Sequence, residues 1–265
     1  MAAILETEGL TKTFGAVTAA SDISVRVEGD TIVGLIGGNG AGKTTFINLV
    51  TGYLRPTSGV IRYAGRDITG VSPRRLTRLG ICRSFQIPQV FDSLSTYDNL
   101  LVGLGIVSLG KRAFVAGSAL EGRTPEEVAG EMLQRFQLEP YRAAPASELP
   151  EGVRKLLDIA MALAVKPRLL LLDEPTSGVS AEEKFALMDL VLGAIRAQRV
   201  TVLFVEHDME IVRRYTQRVL AFYDGRIIAD GQPAVVLEDA GVRKYVVGEA
   251  VAAPPSARAG TEDSC

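Results

Sequence analysis

Thr31-Ile-Val-Gly-Leu-Ile36 runs straight into Gly37-Gly-Asn-Gly-Ala-Gly42-Lys43-Thr44, and this stretch decides the fold. An apolar run of strand length ends in a glycine-rich loop. Lys43 to Thr51 then has helical spacing, with Phe46, Leu49 and Val50 on one face. Strand, Gly-x-x-x-x-Gly-Lys-Thr and helix, in that order, is the phosphate-binding loop pattern. The glycines let successive backbone N–H groups converge on phosphate oxygens, and the helix that opens near Lys43 adds its positive end. Lys43 would reach the β- and γ-phosphates and Thr44 would ligate Mg²⁺. A plain glycine-rich turn with an exposed lysine is the bland alternative, and the flanking strand and helix argue against it.

A second site element lies downstream. Arg168-Leu-Leu-Leu-Leu172 and Val200-Thr-Val-Leu-Phe-Val205 are short, continuously apolar runs of the kind buried parallel strands show. The first ends in Asp173-Glu174. A carboxylate at a strand exit beside the phosphate loop is where Mg²⁺ needs a second anchor, which assigns Asp173 to the metal. Glu174 would then polarise the attacking water as general base. Alone, an apolar strand ending in Asp-Glu-Pro is an ordinary strand exit; the phosphate loop gives it meaning. His207, the single histidine, follows the second strand, where ligands bind in open α/β sheets. A lone histidine is more often structural. Gln86, just past Arg83-Ser84-Phe85, would bond Mg²⁺ or the water while reporting nucleotide state to the middle of the chain.

Further out, Leu10 to Phe14 and Ile23 to Val27 read as short extended runs, and Tyr53 to Ala64 as another antiparallel piece. From about Asp98 to Leu149 the chain reads as helical and less buried. Thr124-Pro125-Glu126-Glu127 is a capping box with proline at the first helical position. Ser180-x-x-Glu183 opens a helix carrying Phe185, Met188, Val191, Leu192 and Ile195, and Val219 to Ile228 reads as a hairpin turning at Asp224-Gly225. Residues 251–265, with Pro254-Pro255, read as a disordered tail. There is no internal repeat, so one nucleotide-binding unit spans 1–250.

With 265 residues, 47% of them hydrophobic, the composition is that of a globular domain. A net charge of −2 gives no global basic field for nucleic acid, and Arg74, Arg75 and Arg78 read as a solvated helix face. Two cysteines and one histidine exclude a disulfide scaffold, a Cys-rich zinc site and a His-based metal site. No stretch has the length of a signal peptide or a membrane span, so the chain is expected in the cytoplasm, reaching a membrane only through partners.

Taken together, the phosphate loop, Gln86, Leu149-Pro-Glu-Gly-Val153, Arg168 to Pro175 and His207 follow the order of an ABC-transporter ATPase subunit, which the chain resembles from about Leu5 to Ala250. More narrowly it is similar to the ATPase subunits of branched-chain (hydrophobic) amino-acid importers. The narrower features are Phe14-Gly15, Arg83-Ser-Phe-Gln86, Val205-Glu-His-Asp-Met209 and Tyr245-Val-Val-Gly-Glu-Ala250. The resemblance implies an α/β P-loop NTPase core with an antiparallel β subdomain and an inserted helical subdomain at about 87–158.

It also implies roles. Phe14 would stack on adenine. Gly37, Gly38, Asn39, Gly40, Ala41, Gly42, Lys43, Thr44 and Thr45 would wrap the phosphates of ATP. Gln86, Asp173, Glu174 and His207 would be the Q-loop glutamine, the Mg²⁺ aspartate, the catalytic glutamate and the switch histidine. Gly178-Val179-Ser180 would lie at a dimer interface, with Ser180 also serving as a helix N-cap. Implied partners are two integral-membrane permease subunits, a second ATPase subunit (the same chain or another) and an external solute-binding protein, with the chain held at the cytoplasmic face of the plasma membrane. The solute would be a branched-chain amino acid, or a related small solute such as urea or an amide. Alternatives are a lipopolysaccharide-export ATPase, a soluble non-transport ABC ATPase and a degenerate regulatory subunit.

The chain departs from the family's pattern in two places. Its signature usually reads Leu-Ser-Gly-Gly-Gln; here Pro150 removes both the serine hydroxyl and an N–H that would serve the nucleotide on the opposite subunit. Gly152 and the helix it opens remain, so backbone donors can still hold an anion. Gly38 stands where proline is common. Phe85, Phe91 and Tyr97 read equally as core or as a contact surface for a membrane subunit's cytoplasmic helix.

Overall fold

The computed structural model describes residues 3–108, 120 and 122–248; the 251–265 tail and the end of the Tyr245–Ala250 motif lie outside them. A mainly parallel sheet of six strands forms the centre, in the order β10-β9-β3-β8-β7-β6. Its strands are β3 (Ile32–Gly37), β6 (Ile81–Ser84), β7 (Leu169–Asp173), β8 (Thr201–Val205), β9 (Arg218–Tyr223) and β10 (Arg226–Gly231), the last antiparallel to β9. The Asp224-Gly225 turn makes the expected hairpin. Side chains alternate across a strand, so β7 sends Leu170 and Leu172 into one core and Leu169 and Leu171 into the other. β8 divides likewise, Val202 and Phe204 against Leu203 and Val205. Both faces are covered, which is why these strands are apolar throughout.

The first core packs against α3 (Thr96–Ser108), α4 (Pro125–Arg135), α5 (Glu151–Ala164) and α6 (Glu183–Gln198). The second packs against α1 (Lys43–Val50) and an antiparallel sheet ordered β2-β1-β4-β5. In that sheet β1 (Ala3–Phe14) and β2 (Val17–Glu28) each run 12 residues, well beyond the short runs expected. The register shifts between the Thr7–Val25 and Leu10–Ile23 pairs. Gly9 (φ 58°) and Asp22 (φ 53°) are left-handed there, so the period-two alternation breaks at a bulge within one continuous pair of strands. β4 (Ser58–Tyr63) and the short β5 (Arg66–Asp67) complete the sheet.

The helical middle forms but is more buried than expected: Leu100, Leu104, Val128, Met132, Leu133 and Phe136 are each at most 2% exposed. The capping box is present, with the Thr124 hydroxyl accepting from the Glu127 N–H and the Glu127 carboxylate from the Thr124 N–H. Buried Asn99 pins the entry to α3, accepting from the Phe91 N–H at 2.7 Å and donating to the Phe91 and Ser95 carbonyls. Tyr97 packs on the core whereas Phe91 stays exposed. The three arginines lie exposed on or beside α2 (Pro73–Leu79), as a solvated helix face would. Among the described residues, further α-helices are α7 (Met209–Tyr215), α8 (Pro233–Val236) and α9 (Ala240–Val242). Among the described residues no helix is long and apolar enough to cross a membrane.

Candidate active site

β3, β8, β7 and β6 lie side by side and parallel, so their carboxyl ends open on one crevice. The ends deliver the phosphate loop, Glu206-His207, Asp173-Glu174 and the segment carrying Gln86. Four stretches far apart in sequence converge through topology alone.

The loop is built on a glycine that nothing else replaces. Gly42 has φ 103°, and a Cβ there would lie 2.7 Å from the Ala19 carbonyl oxygen. It wedges the loop between β2 and the β9–β10 hairpin turn, whose Gly225 N–H donates to Ala41 O at 3.0 Å. α1 starts with no side-chain cap and no acidic residue in its first turn, so its leading N–H groups are left for an anion. The Lys43 ammonium folds into the loop, donating to Gly37 O at 2.5 Å and Gly38 O at 3.0 Å. It is only 5% exposed, and burial lowers its pKa against the opposing pull of Glu174 and Asp173. A buried cation held by neutral carbonyls beside free N–H groups is a cradle for an anion, so phosphates fit. Gly38, where the family has proline, has open space over it.

Three predicted residues meet directly. Gln86 Nε2 donates to Glu174 Oε2 at 2.9 Å, and His207 Nε2 lies 3.1 Å from Glu174 Oε1. Both oxygens of the candidate base are therefore engaged, one by an amide and one by an imidazole. The Glu174 backbone is left-handed at φ 50°, costly for a side chain with a Cβ. It is held there by its N–H to Val205 O at 3.1 Å and by the Lys155 ammonium to its carbonyl at 3.2 Å. Phe14, at the end of β1 and 48% exposed, stands outside these bonds, with the Lys12 ammonium 5.0 Å over its ring. Gly152 also stands outside them, against Val179.

Several supporting residues have partners that sequence order alone does not assign. Arg83, on β6, donates to Asp173 Oδ2 and to Asn48 Oδ1 of α1, each at 2.6 Å. Its guanidinium stacks on Phe85 at 4.6 Å. Glu206, 4% exposed, accepts from the Thr176 N–H and hydroxyl with one oxygen and from the His207 N–H with the other. It ties the loop after Glu174 to the histidine. Lys155 also donates to Ser177 O, and burial lowers its pKa against Glu151, Glu206 and Glu174. A charged residue within an apolar strand or on the buried side of a helix is the available signal. Nothing local names its partner.

The signature segment shows what Pro150 leaves. Pro150 occupies the N-cap of α5 with no side-chain cap, so the leading N–H groups of the helix remain unclaimed there. The Glu151 carboxylate folds against Gly178 on its own chain, where a Cβ would meet it. Ser180 accepts from the Glu183 N–H at 3.3 Å and donates to its carboxylate at 2.8 Å, but it does so from the turn before α6, whose N-cap is Glu182 and not the expected Ser180.

For a metal, Thr44, Gln86 and Asp173 offer hard oxygen donors, the set Mg²⁺ takes together with phosphate oxygens and water. Among the described residues there is no cluster of three His, Cys, Asp or Glu that would hold an ion without nucleotide.

Known proteins resemble the chain on both sequence and fold. Residues 20–177 match the ABC transporter family. The high-affinity branched-chain amino acid transport ATP-binding protein BraF of Pseudomonas aeruginosa is 34% identical over 251 residues, covering 93% of this chain and 98% of its own. A probable branched-chain amino acid transport ATP-binding protein, LivG of Archaeoglobus fulgidus, is 34% identical, covering 92% of this chain and 95% of its own. Among solved structures, MJ1267, an ATP-binding cassette of an ABC transporter, in its ADP conformation superposes with a TM-score of 0.80 at 31% identity. That match covers 94% of this chain and 100% of the other.

Proposed function

The chain belongs to the ABC transporter family and is an ATP-hydrolysing subunit, and from that premise we propose that it powers an importer of branched-chain amino acids or of a related small solute such as urea or an amide. The solute class rests on the relatives, whose names specify branched-chain amino acid transport at 34% identity over nearly the whole chain. The reaction rests on one observation: a glutamate at the exit of β7 with one oxygen on Gln86 and the other on His207.

Backbone N–H groups of residues 37–45 and the Lys43 ammonium bind and orient the phosphates. Phe14, exposed at the end of β1, offers its ring to the adenine. Thr44, Gln86 and Asp173 would hold Mg²⁺, which supplies charge neutralisation on the phosphate oxygens. Glu174 accepts the proton of the attacking water at a carboxylate oxygen, a role worth roughly 10²–10⁴ in rate. Gln86 and His207 hold that carboxylate in place, and His207 would meet the γ-phosphate.

Two subunits pair head to tail, and each lends its signature helix α5, with Gly152, to the nucleotide on the other. ATP closes the pair, hydrolysis opens it, and the motion is passed to two permease subunits, with an external protein delivering the solute. The chain then works at the cytoplasmic face of the membrane. A specific observation favours a second form of this reading. Pro150 leaves only backbone donors at the site α5 completes, which suits a pair with a different ATPase chain whose own signature is intact.

Affinity capture of the tagged chain from detergent-solubilised native membranes, with mass spectrometry of what accompanies it, tests the proposal. Multi-span permeases, a second ATPase subunit and a solute-binding protein are the expected companions. Recovery from the soluble fraction alone would discard the transport reading and promote the soluble ATPase.

A further inference from the structure

Asp158 sits on α5 two turns beyond the signature segment, 7% exposed, in a stretch of the helix where Leu157, Ile159, Ala160 and Leu163 are also buried. Among the described residues no basic side chain pairs with it. Its carboxylate instead collects donors from one short segment. Ser84 Oγ donates to Oδ2 at 2.5 Å and the Gln89 N–H donates to Oδ1 at 3.0 Å. These donors bracket Gln86 on both sides, yet Gln86 has no bond to Asp158. Its amide reaches the other way, to Glu174. Burying a carboxylate without a cation costs several kcal/mol in general, so the position needs a reason.

We propose that Asp158 is a positioning residue for Gln86: it fixes residues 84–89 to helix α5, and thereby sets the amide contact to Glu174. The proposal rests on the reading of Gln86 and Glu174 as parts of the hydrolytic site. One turn earlier on the same helix, Lys155 donates to the carbonyls of Glu174 and Ser177. α5 thus holds both partners of the Gln86–Glu174 hydrogen bond, one through Asp158 and the other through Lys155. A tilt of α5, whose first turn is the segment offered to the opposite subunit, displaces the two ends of that bond together. Burial pushes the Asp158 carboxyl above its usual range, while its hydrogen-bond donors pull it down. The donors are thus aimed at the ionised form. Asp158 also borders a cavity of about 230 Å³ shared with Tyr53, Arg83, Phe85 and Gln89, so whatever fills that cavity touches the same latch.

The test is a double-mutant cycle on the full-length chain, with amide hydrogen exchange as a readout independent of activity. Asp158→Asn keeps the shape but presents an NH₂ group to converging donors. It should lower kcat roughly 10- to 100-fold, as displacement of a catalytic group does, with little change in KM for ATP. Exchange at Gln89 should rise. Asp158→Glu, which keeps the charge, should recover part of the loss. In a Gln86→Ala background Asp158→Asn should cost almost nothing, because the residue acts through Gln86. An equal loss in both backgrounds, or unchanged exchange over 84–89, would overturn the proposal. Ser84→Ala, which removes a single donor, gives a milder version should Asp158→Asn fold poorly. If Gln86→Ala by itself leaves turnover intact, the role of Gln86 in hydrolysis is wrong, a failure distinct from that of the latch, which exchange still decides.

Discussion

Replacing Arg83 with methionine isolates the electrostatic foundation of the site. The guanidinium and the Asp173 carboxylate are 8% and 9% exposed and 2.6 Å apart, so water screens little of their interaction. Taking away one partner leaves an uncompensated buried charge, which costs about 3–5 kcal/mol. The Asn48 carbonyl oxygen loses its donor as well. Two features work in the opposite direction. Arg83 Nε is itself buried without a partner, so its removal relieves a penalty, and the methionine stem retains much of the packing. The lower half of the range follows, about 3–4 kcal/mol. In a chain of this size each kcal/mol moves the melting temperature by about 2–4 °C, so Arg83→Met should lower Tm by roughly 6–16 °C. Thermal and urea unfolding of Arg83→Met, Asp173→Asn and the double variant provide the measurement. The double variant should be more stable than the sum of the single losses predicts, because neutralising Asp173 removes the stranded charge. A loss under about 1 kcal/mol in Arg83→Met, typical of an exposed ion pair, would refute the buried-pair reasoning, as would strict additivity.

Lys43→Ala removes the buried ammonium from the loop and should abolish nucleotide binding in a fluorescent-nucleotide titration; retained tight binding would sink the phosphate-loop assignment. Pro150→Ser restores a hydroxyl and an N–H at the start of α5. It should raise ATPase activity in the assembled complex, while no change would mean that the backbone donors of that helix suffice.

The parts of the site contributed by continuous sequence are legible in the order of the residues. The loop at 37–45 and the Asp173-Glu174 strand exit each carry their chemistry within a few adjacent residues, and β7 and β8 are apolar because both faces are covered. The contact of Gln86 with Glu174 spans 88 positions and depends on β6 pairing with β7. β6 itself lacks a strand signature, since Ile81-Cys-Arg-Ser84 is four residues long with an arginine inside it. That arginine is explained only by Asp173 and Asn48. Lys155, Asp158 and Glu206 stay hidden for the same reason. A buried charge is justified by its partner, and sequence order does not say which partner the fold will supply. The β1–β2 pair is longer than its alternating runs suggest, because the left-handed backbone at Gly9 and Asp22 interrupts the alternation without ending the strands.

In the proposed function Glu174 is the catalytic base of an ATP-binding site completed by a second subunit. The direct measurement is Glu174→Gln in Mg²⁺-ATP, followed in parallel by phosphate release and by light scattering, alone and with the second ATPase chain that capture identifies. Glutamine keeps the shape and can still bond Gln86 and His207 but cannot take a proton. An ATP-dependent dimer should persist without releasing phosphate, whereas wild type returns to monomer or resting complex as ATP is consumed. Phosphate release from the Glu174→Gln protein at the wild-type rate would contradict it and remove Glu174 from the chemistry.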